Sequence, residues 1–218
     1  MTTQTASRHF TLEEYVIVRE RIDVKIELLD GQIWPKESAA PLPTAIVEEI
    51  LRPNFNPNIL NYEFPMATTA HADIIRNLNY GLIRQLDEEQ FLVYTQDPKI
   101  YISLSGRYRL PDITVAPGLA RQDFQNDCLT NPLIIIEVLS SSNSGAAFME
   151  KIHDYKSIET LQEYWLVAQD KPSLERYVRY NAEEWLSRSF DTRHPEITFP
   201  TLSLSMKLDA VYRGVFEE

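Results

Sequence analysis

Two strand-like stretches each carry a carboxylate where an apolar side chain would be expected: Asp112 in "RYRLPDITVAPG" and Glu137 in "PLIIIEVLSSS". Side chains along a strand alternate faces, so Glu137 shares one side of its run with Leu133, Ile135 and Leu139. Asp112 sits in the same way beside Leu110 and Thr114. Pro111 removes a backbone donor just before it, which predicts a strand start or a sheet edge. An ionised carboxylate in such surroundings is costly unless it is paired or bound to a cation. Two acids at strand ends suit a hard, oxygen-preferring ion such as Mg2+ (or Mn2+), which takes few protein carboxylates and keeps several waters.

A lysine completes the set. Read at about 100° per residue, the segment after Glu137 gathers Phe148, Ile152, Tyr155 and Ile158 on one apolar arc. Lys151 projects inside that arc, whereas His153 and Asp154 point away from it. Helical lysines ordinarily face solvent, so this one is aimed at the sheet. An Asp–Glu–Lys constellation suits metal-assisted phosphodiester hydrolysis, in which the ion activates a bound water and offsets developing phosphoryl charge. The same pattern also fits a lysine that lays its stem on apolar surface, or a plain Lys151–Glu137 ion pair. Spacing alone leaves these readings open.

The elements that must position these groups can be read from the pattern. Thr11 N-caps a helix over "TLEEYVIVRERI", with acids in its first turn. "VKIELLDGQIWP" is a hairpin turning at Asp30-Gly31. "HADIIRNLNYGLIRQLDEE" is an amphipathic helix with Ile74, Ile75, Leu78, Leu82, Ile83 and Leu86 on its apolar face. Strands follow at "FLVYTQ", "KIYISL" and "RLPDITVA", the last two joined by a turn at Ser105-Gly106. The unbroken apolar run "PLIIIEVLS" predicts a strand covered on both faces. The lysine helix comes next, then a three-strand meander over "EYWLVAQ", "LERYVRY" and "EEWLSRSF", and a short tail around "MKLDAVYRGVF". This order predicts an α/β (α+β) fold, a mixed central sheet flanked by helices. Residues 1–10 read as a disordered polar tail and 11–218 as a single domain.

Composition bounds the function. In 218 residues, 44% hydrophobic and 11% aromatic, there is material for a sizeable core. No apolar run reaches the roughly 18–20 residues of a membrane span, and "MTTQTASRHF" lacks the apolar stretch of a secretory signal. One cysteine, Cys128, excludes an internal disulfide. The expectation is a cytoplasmic protein with no membrane partner. The four histidines lack zinc-type spacing, and no Gly-x-Ser-x-Gly elbow surrounds "SSSNS". A net charge of −11 weighs against charge-driven coating of DNA but permits a local basic cleft.

At these same residues the chain resembles the Uma-type family of restriction endonuclease-like proteins within the PD-(D/E)XK nuclease superfamily. "IELLDGQI" is similar to the family's N-terminal hairpin, and "HADIIRNLNYGL" to its His-led helix. "LPDITV" resembles its Pro-Asp strand, "IIEVLSSSN" its Glu-Val-Leu-Ser strand, and "EKIHDYKSIETLQEYWLV" its Lys-x-x-x-Tyr helix and following strand. The resemblance implies a restriction-endonuclease-like core and a Mg2+-dependent endonuclease acting on nucleic acid, DNA above all, with a homodimer where both duplex strands are cut. It implies Asp112 and Glu137 as metal-binding acids. Since Leu139 stands two residues after the Glu, it also implies a migrated lysine, Lys151. Glu27 matches the family's N-terminal acid, a candidate third metal ligand or an exposed hairpin acid. His71 is a candidate contact to phosphate or water, or else a capping or satisfied histidine. Tyr155 is expected to steady the lysine. The chain departs from the family's pattern at "SSSN" (140–143), where "SPST" is common, and at Ala147, where an Asp is common. These departures and the charge leave room for a catalytically weak or inactive DNA-binding or protein-interaction module. A hydrolase of another phosphate ester also fits the acids.

Overall fold

A computed structural model of the chain describes residues 8–36, 38, 40–118, 124–125, 128–139 and 145–216. Its centre is a six-stranded sheet of β3 (Phe91–Thr95), β6 (Ile113–Pro117), β9 (Ile134–Leu139), β10 (Glu163–Ala168), β11 (Leu174–Arg179) and β12 (Trp185–Phe190), in the order β12-β11-β10-β9-β6-β3. Strands β3, β6 and β9 pair antiparallel, and β9 pairs parallel with β10. The chain crosses between β9 and β10 through α4 (Gly145–Lys156), as a parallel pair requires. The meander β10-β11-β12 completes the sheet. This is the mixed sheet flanked by helices that the pattern predicts.

Both faces of β9 are covered, which explains its continuous apolar run. Ile134, Ile136 and Val138 pack with Ile74, Leu78 and Leu82 of α3 (Thr69–Ile83). On that side lie also the hairpin β13 (Glu196–Phe199) and β14 (Leu204–Lys207), and α5 (Leu208–Val211). The expected C-terminal tail is therefore structured: Leu208, Val211 and Tyr212 are buried against α3's core. Ile83 departs from its expected face and is exposed at the end of α3. On the opposite face Ile135 and Leu139 pack with Phe148, Ile152 and Tyr155 of α4.

A second sheet, ordered β2-β1-β5-β4-β8-β7, comprises β1 (Ile26–Leu29), β2 (Gln32–Pro35), β4 (Lys99–Ile102), β5 (Arg107–Arg109), β7 (Phe124–Gln125) and β8 (Cys128–Leu129). Ile100, Ile102 and Leu129 join the cluster beneath α4. At the hairpin end, Ile26, Leu28 and Ile33 pack against α1 (Leu12–Arg21) and α2 (Thr44–Leu51). The β1–β2 turn is the expected Asp30-Gly31, both at positive φ, where Gly meets no steric penalty. Thr11 and Glu14 form a reciprocal capping box at the start of α1. Of the tail expected over residues 1–10, residues 1–7 lie outside the described residues; Phe10 is buried and donates its N–H to Gly31 O, so residues 8–10 belong to the fold. Among the described residues no helix is long and apolar enough to cross a membrane.

Candidate active site

Strands β6 and β9 set the two acids side by side. Their register pairs Ile113 with Ile136, and one step further along this antiparallel ladder Asp112 faces Glu137. Residues in that relation point to the same face, and like charges so placed repel unless a cation lies between them. Asp112 stands at the strand start, as Pro111 predicts, but β6 is an interior strand and not a sheet edge. Both acids are buried, with Asp112 fully so.

The groups around them are specific. Asp112 Oδ2 accepts from Val138 N at 2.8 Å, which locks the acid of one strand to the backbone of the other. Its Oδ1 meets His71 Nε2 at 3.1 Å and the Lys36 ammonium at 2.6 Å. Glu137 Oε1 accepts from the Tyr155 hydroxyl at 2.8 Å, and Oε2 lies 2.9 Å from Lys151 Nζ and 3.9 Å from Lys36 Nζ. Tyr155 and Lys151, one turn apart on α4, thus take separate oxygens of one carboxylate. Burial pushes the Asp112 carboxyl up, but Lys36 and His71 outweigh it and hold the group well below the usual carboxylate range. For Glu137 burial dominates and the carboxyl is raised, against the opposing pull of Lys151 and Lys36.

A second layer of charge lies behind the first. Glu27, on β1, is buried: Oε1 accepts from Leu110 N at 2.9 Å and Oε2 from Arg109 Nη1 at 3.1 Å. Arg109 also donates to Asp154 Oδ2 from Nη2 at 2.6 Å and from Nε at 2.9 Å. Arg107 and Ser105 complete the shell of Asp154. Burial raises the Glu27 carboxyl, but Lys151 and Arg109 prevail and lower it.

The sequence-predicted residues fall into two groups. Asp112, Glu137 and Lys151 meet, with Tyr155 as a hydrogen-bond partner of Glu137 and not only a packing neighbour. Glu27 and His71 are close by but otherwise engaged. Glu27 is not an exposed hairpin acid: it is buried, and its oxygens accept from Arg109 and from the backbone just before Asp112. His71 is 1% exposed and directs Nε2 at Asp112. The expectation that Asp154 points away from the sheet is corrected: its side chain is 2% exposed and tied to β5. Helix α4 packs against two sheets, and a single apolar arc describes only one of them. Lys36, Arg109 and Asp154 went unidentified in the sequence. The only local signal was the placing of Lys36 directly after the buried Pro35 and of Arg109 two residues before Pro111. Segment 140–143 and the side chain of Ala147 lie outside the described residues.

The donor set fits a hard divalent ion. Asp112 Oδ1 and Glu137 Oε2 already converge on one ammonium, a point charge of the kind such an ion would replace. Among the described residues no group of three or more His, Cys, Asp or Glu is placed to hold a metal ion, so the two acids would act as a pair.

Comparisons with known proteins identify the family and the fold. The Uma2 family, described as "Putative restriction endonuclease", matches residues 62–209. Two relatives come from Synechocystis sp.: the uncharacterized protein sll1609, 29% identical over 63% of this chain and 78% of its own, and the uncharacterized protein slr1290, 24% identical over 93% and 91%. The fold is similar to the crystal structure of a "putative nuclease belonging to DUF820" from Anabaena variabilis, with a TM-score of 0.61 and 15% identity over 88% of this chain and 91% of that one. The core of α3, the antiparallel strands β3, β6 and β9, α4 and the parallel β10 is therefore restriction-endonuclease-like.

Proposed function

Since the chain belongs to the Uma2 family of restriction endonuclease-like proteins, we propose that it is a divalent-metal-dependent nuclease that hydrolyses phosphodiester bonds in DNA. The observation that carries this reading is the convergence of Asp112, Glu137 and Lys151, with two opposed carboxylates sharing one cation and a buried ammonium against the second acid. When bound, Mg2+ or Mn2+ supplies an acidified water and screens the charge on the scissile phosphate. Asp112 and Glu137 are the residues that would hold the ion. Val138 N and the Tyr155 hydroxyl fix one oxygen of each acid, so neither can rotate away. His71 steadies Asp112. Lys151 orients the attacking water and offsets the negative charge of the transition state. Glu27, Arg109 and Asp154 hold β1, β5 and α4 around the site as positioning residues.

A non-cutting module with the same fold is the second reading, favoured by the acidity of the chain and by the neutralisation of the acids by Lys36. One comparison separates the two: degradation of plasmid and single-stranded DNA with Mg2+ or Mn2+ by wild type and Lys151→Ala. Cutting by wild type that the variant loses is expected. Tight DNA binding by both proteins with cleavage by neither would overturn the nuclease and support the module.

A further inference from the structure

Lys36 is the one member of the site that the proposed chemistry does not need. It follows β2 directly, in the N-terminal hairpin, and its side chain is only 4% exposed. Its ammonium lies 2.6 Å from Asp112 Oδ1 and 3.9 Å from Glu137 Oε2, one oxygen of each acid that would hold the ion. An ammonium and a divalent cation cannot share the space between the acids: they compete for the same two carboxylates and repel one another strongly in a medium less polar than water. With Lys151 on the second acid, the two negative charges of Asp112 and Glu137 face two positive charges drawn from the chain itself. The acid pair is thus electrically complete before any metal arrives. Lysine is also the side chain suited to leaving, since its charge rides on a flexible four-carbon stem and forms no fixed planar fork.

We propose that Lys36 is a built-in competitor for the cation site, an ammonium that holds the two acids together and must swing out before a divalent ion can bind. This inference rests on the reading of Asp112 and Glu137 as cation ligands. It makes Lys36 a determinant of metal affinity: the ion has to displace an internal rival, so the protein engages metal only where the free ion is plentiful.

The test is Mn2+ binding by the full chain, followed by electron paramagnetic resonance, for wild type, Lys36→Met, Lys36→Gln and Asp112→Asn, with thermal unfolding measured with and without Mn2+. Lys36→Met is expected to bind Mn2+ at least about tenfold more tightly than wild type, because the rival charge is gone. Without the ion it unfolds at lower temperature than wild type, and added Mn2+ restores it. Lys36→Gln follows the same pattern with a polar side chain in place. Equal affinity in wild type and both Lys36 variants, with weaker binding by Asp112→Asn, would overturn the role of Lys36 and leave the carboxylate reading standing. Binding that Asp112→Asn does not weaken, or binding by none of the proteins, would overturn both. Failure of both Lys36 variants to fold even in excess Mn2+ would also overturn the competitor role, since the amine would then be a structural element that no ion can replace.

Discussion

Arg109 joins three parts of the molecule, and removing its charge tests whether the layer behind the acids supports the site. Its guanidinium reaches Glu27 on β1 and Asp154 on α4, all three side chains being 5% exposed or less. Arg109→Met keeps most of the apolar stem but leaves Glu27 with the Leu110 N–H and the more distant Lys151, and Asp154 with Arg107 and Ser105. Breaking a buried ion pair on one side costs about 3–5 kcal/mol, because the orphaned charge stays desolvated. For a chain of this size that corresponds to a fall in Tm of about 6–20 °C. The pH dependence gives a sharper signature. In the wild type, burial pushes Glu27 up but Lys151 and Arg109 hold it below its ordinary value. It therefore contributes stability that is present above the unfolded-state pKa and lost as pH falls through the folded one. In Arg109→Met burial is opposed less, and the group favours its neutral form. The deficit relative to wild type should then be largest at neutral pH and shrink as the solution is made acidic. Urea unfolding of both proteins across that range measures it. A loss below about 1 kcal/mol, the size of an exposed ion pair, or a deficit that does not narrow in acid, would refute the reasoning.

Two further outcomes are expected. Tyr155→Phe removes the hydroxyl that fixes Glu137 Oε1. It should cost about 0.5–1.5 kcal/mol of stability and slow cleavage without abolishing it; unchanged cleavage would show that Lys151 alone suffices to hold the acid. Because burial raises the Glu137 carboxyl, proton and metal compete for it at higher pH than for an ordinary glutamate. Mn2+ affinity should therefore decline on acidification at higher pH than an ordinary glutamate would give, and in Glu137→Gln the remaining affinity should be weak and lose that dependence; a pH-independent wild-type affinity would count against Glu137 as a ligand.

Local rules made much of the frame legible. The Asp30-Gly31 turn, the Thr11–Glu14 box, the apolar face of α3 and the unbroken run of β9 each follow from short-range chemistry, and each is in place. The meeting of Asp112 and Glu137 was readable as two misplaced charges seeking a partner, and Lys151 as a helical charge on the wrong face. Lys36, Arg109 and Asp154 were not readable, for a common reason. Their orientation depends on where the second sheet docks, and its strands are too short and too little alternating to announce that they pair. Asp154 shows the problem most clearly: viewed along α4 alone it belongs to solvent, and only the arrival of β5 turns its position into an interior one.

The hairpin β1–β2 has a consequence that reaches beyond this chain. Asp112, Glu137 and Lys151 lie inside residues 62–209, the stretch the family match covers, while Glu27 and Lys36 precede it. The proposed hydrolytic groups and their roof thus come from different stretches of sequence. A relative could exchange the roof for one bearing a different charge and so set its own threshold for metal, with the hydrolytic groups untouched. A fragment trimmed to the shared stretch would keep the acids yet open them to water.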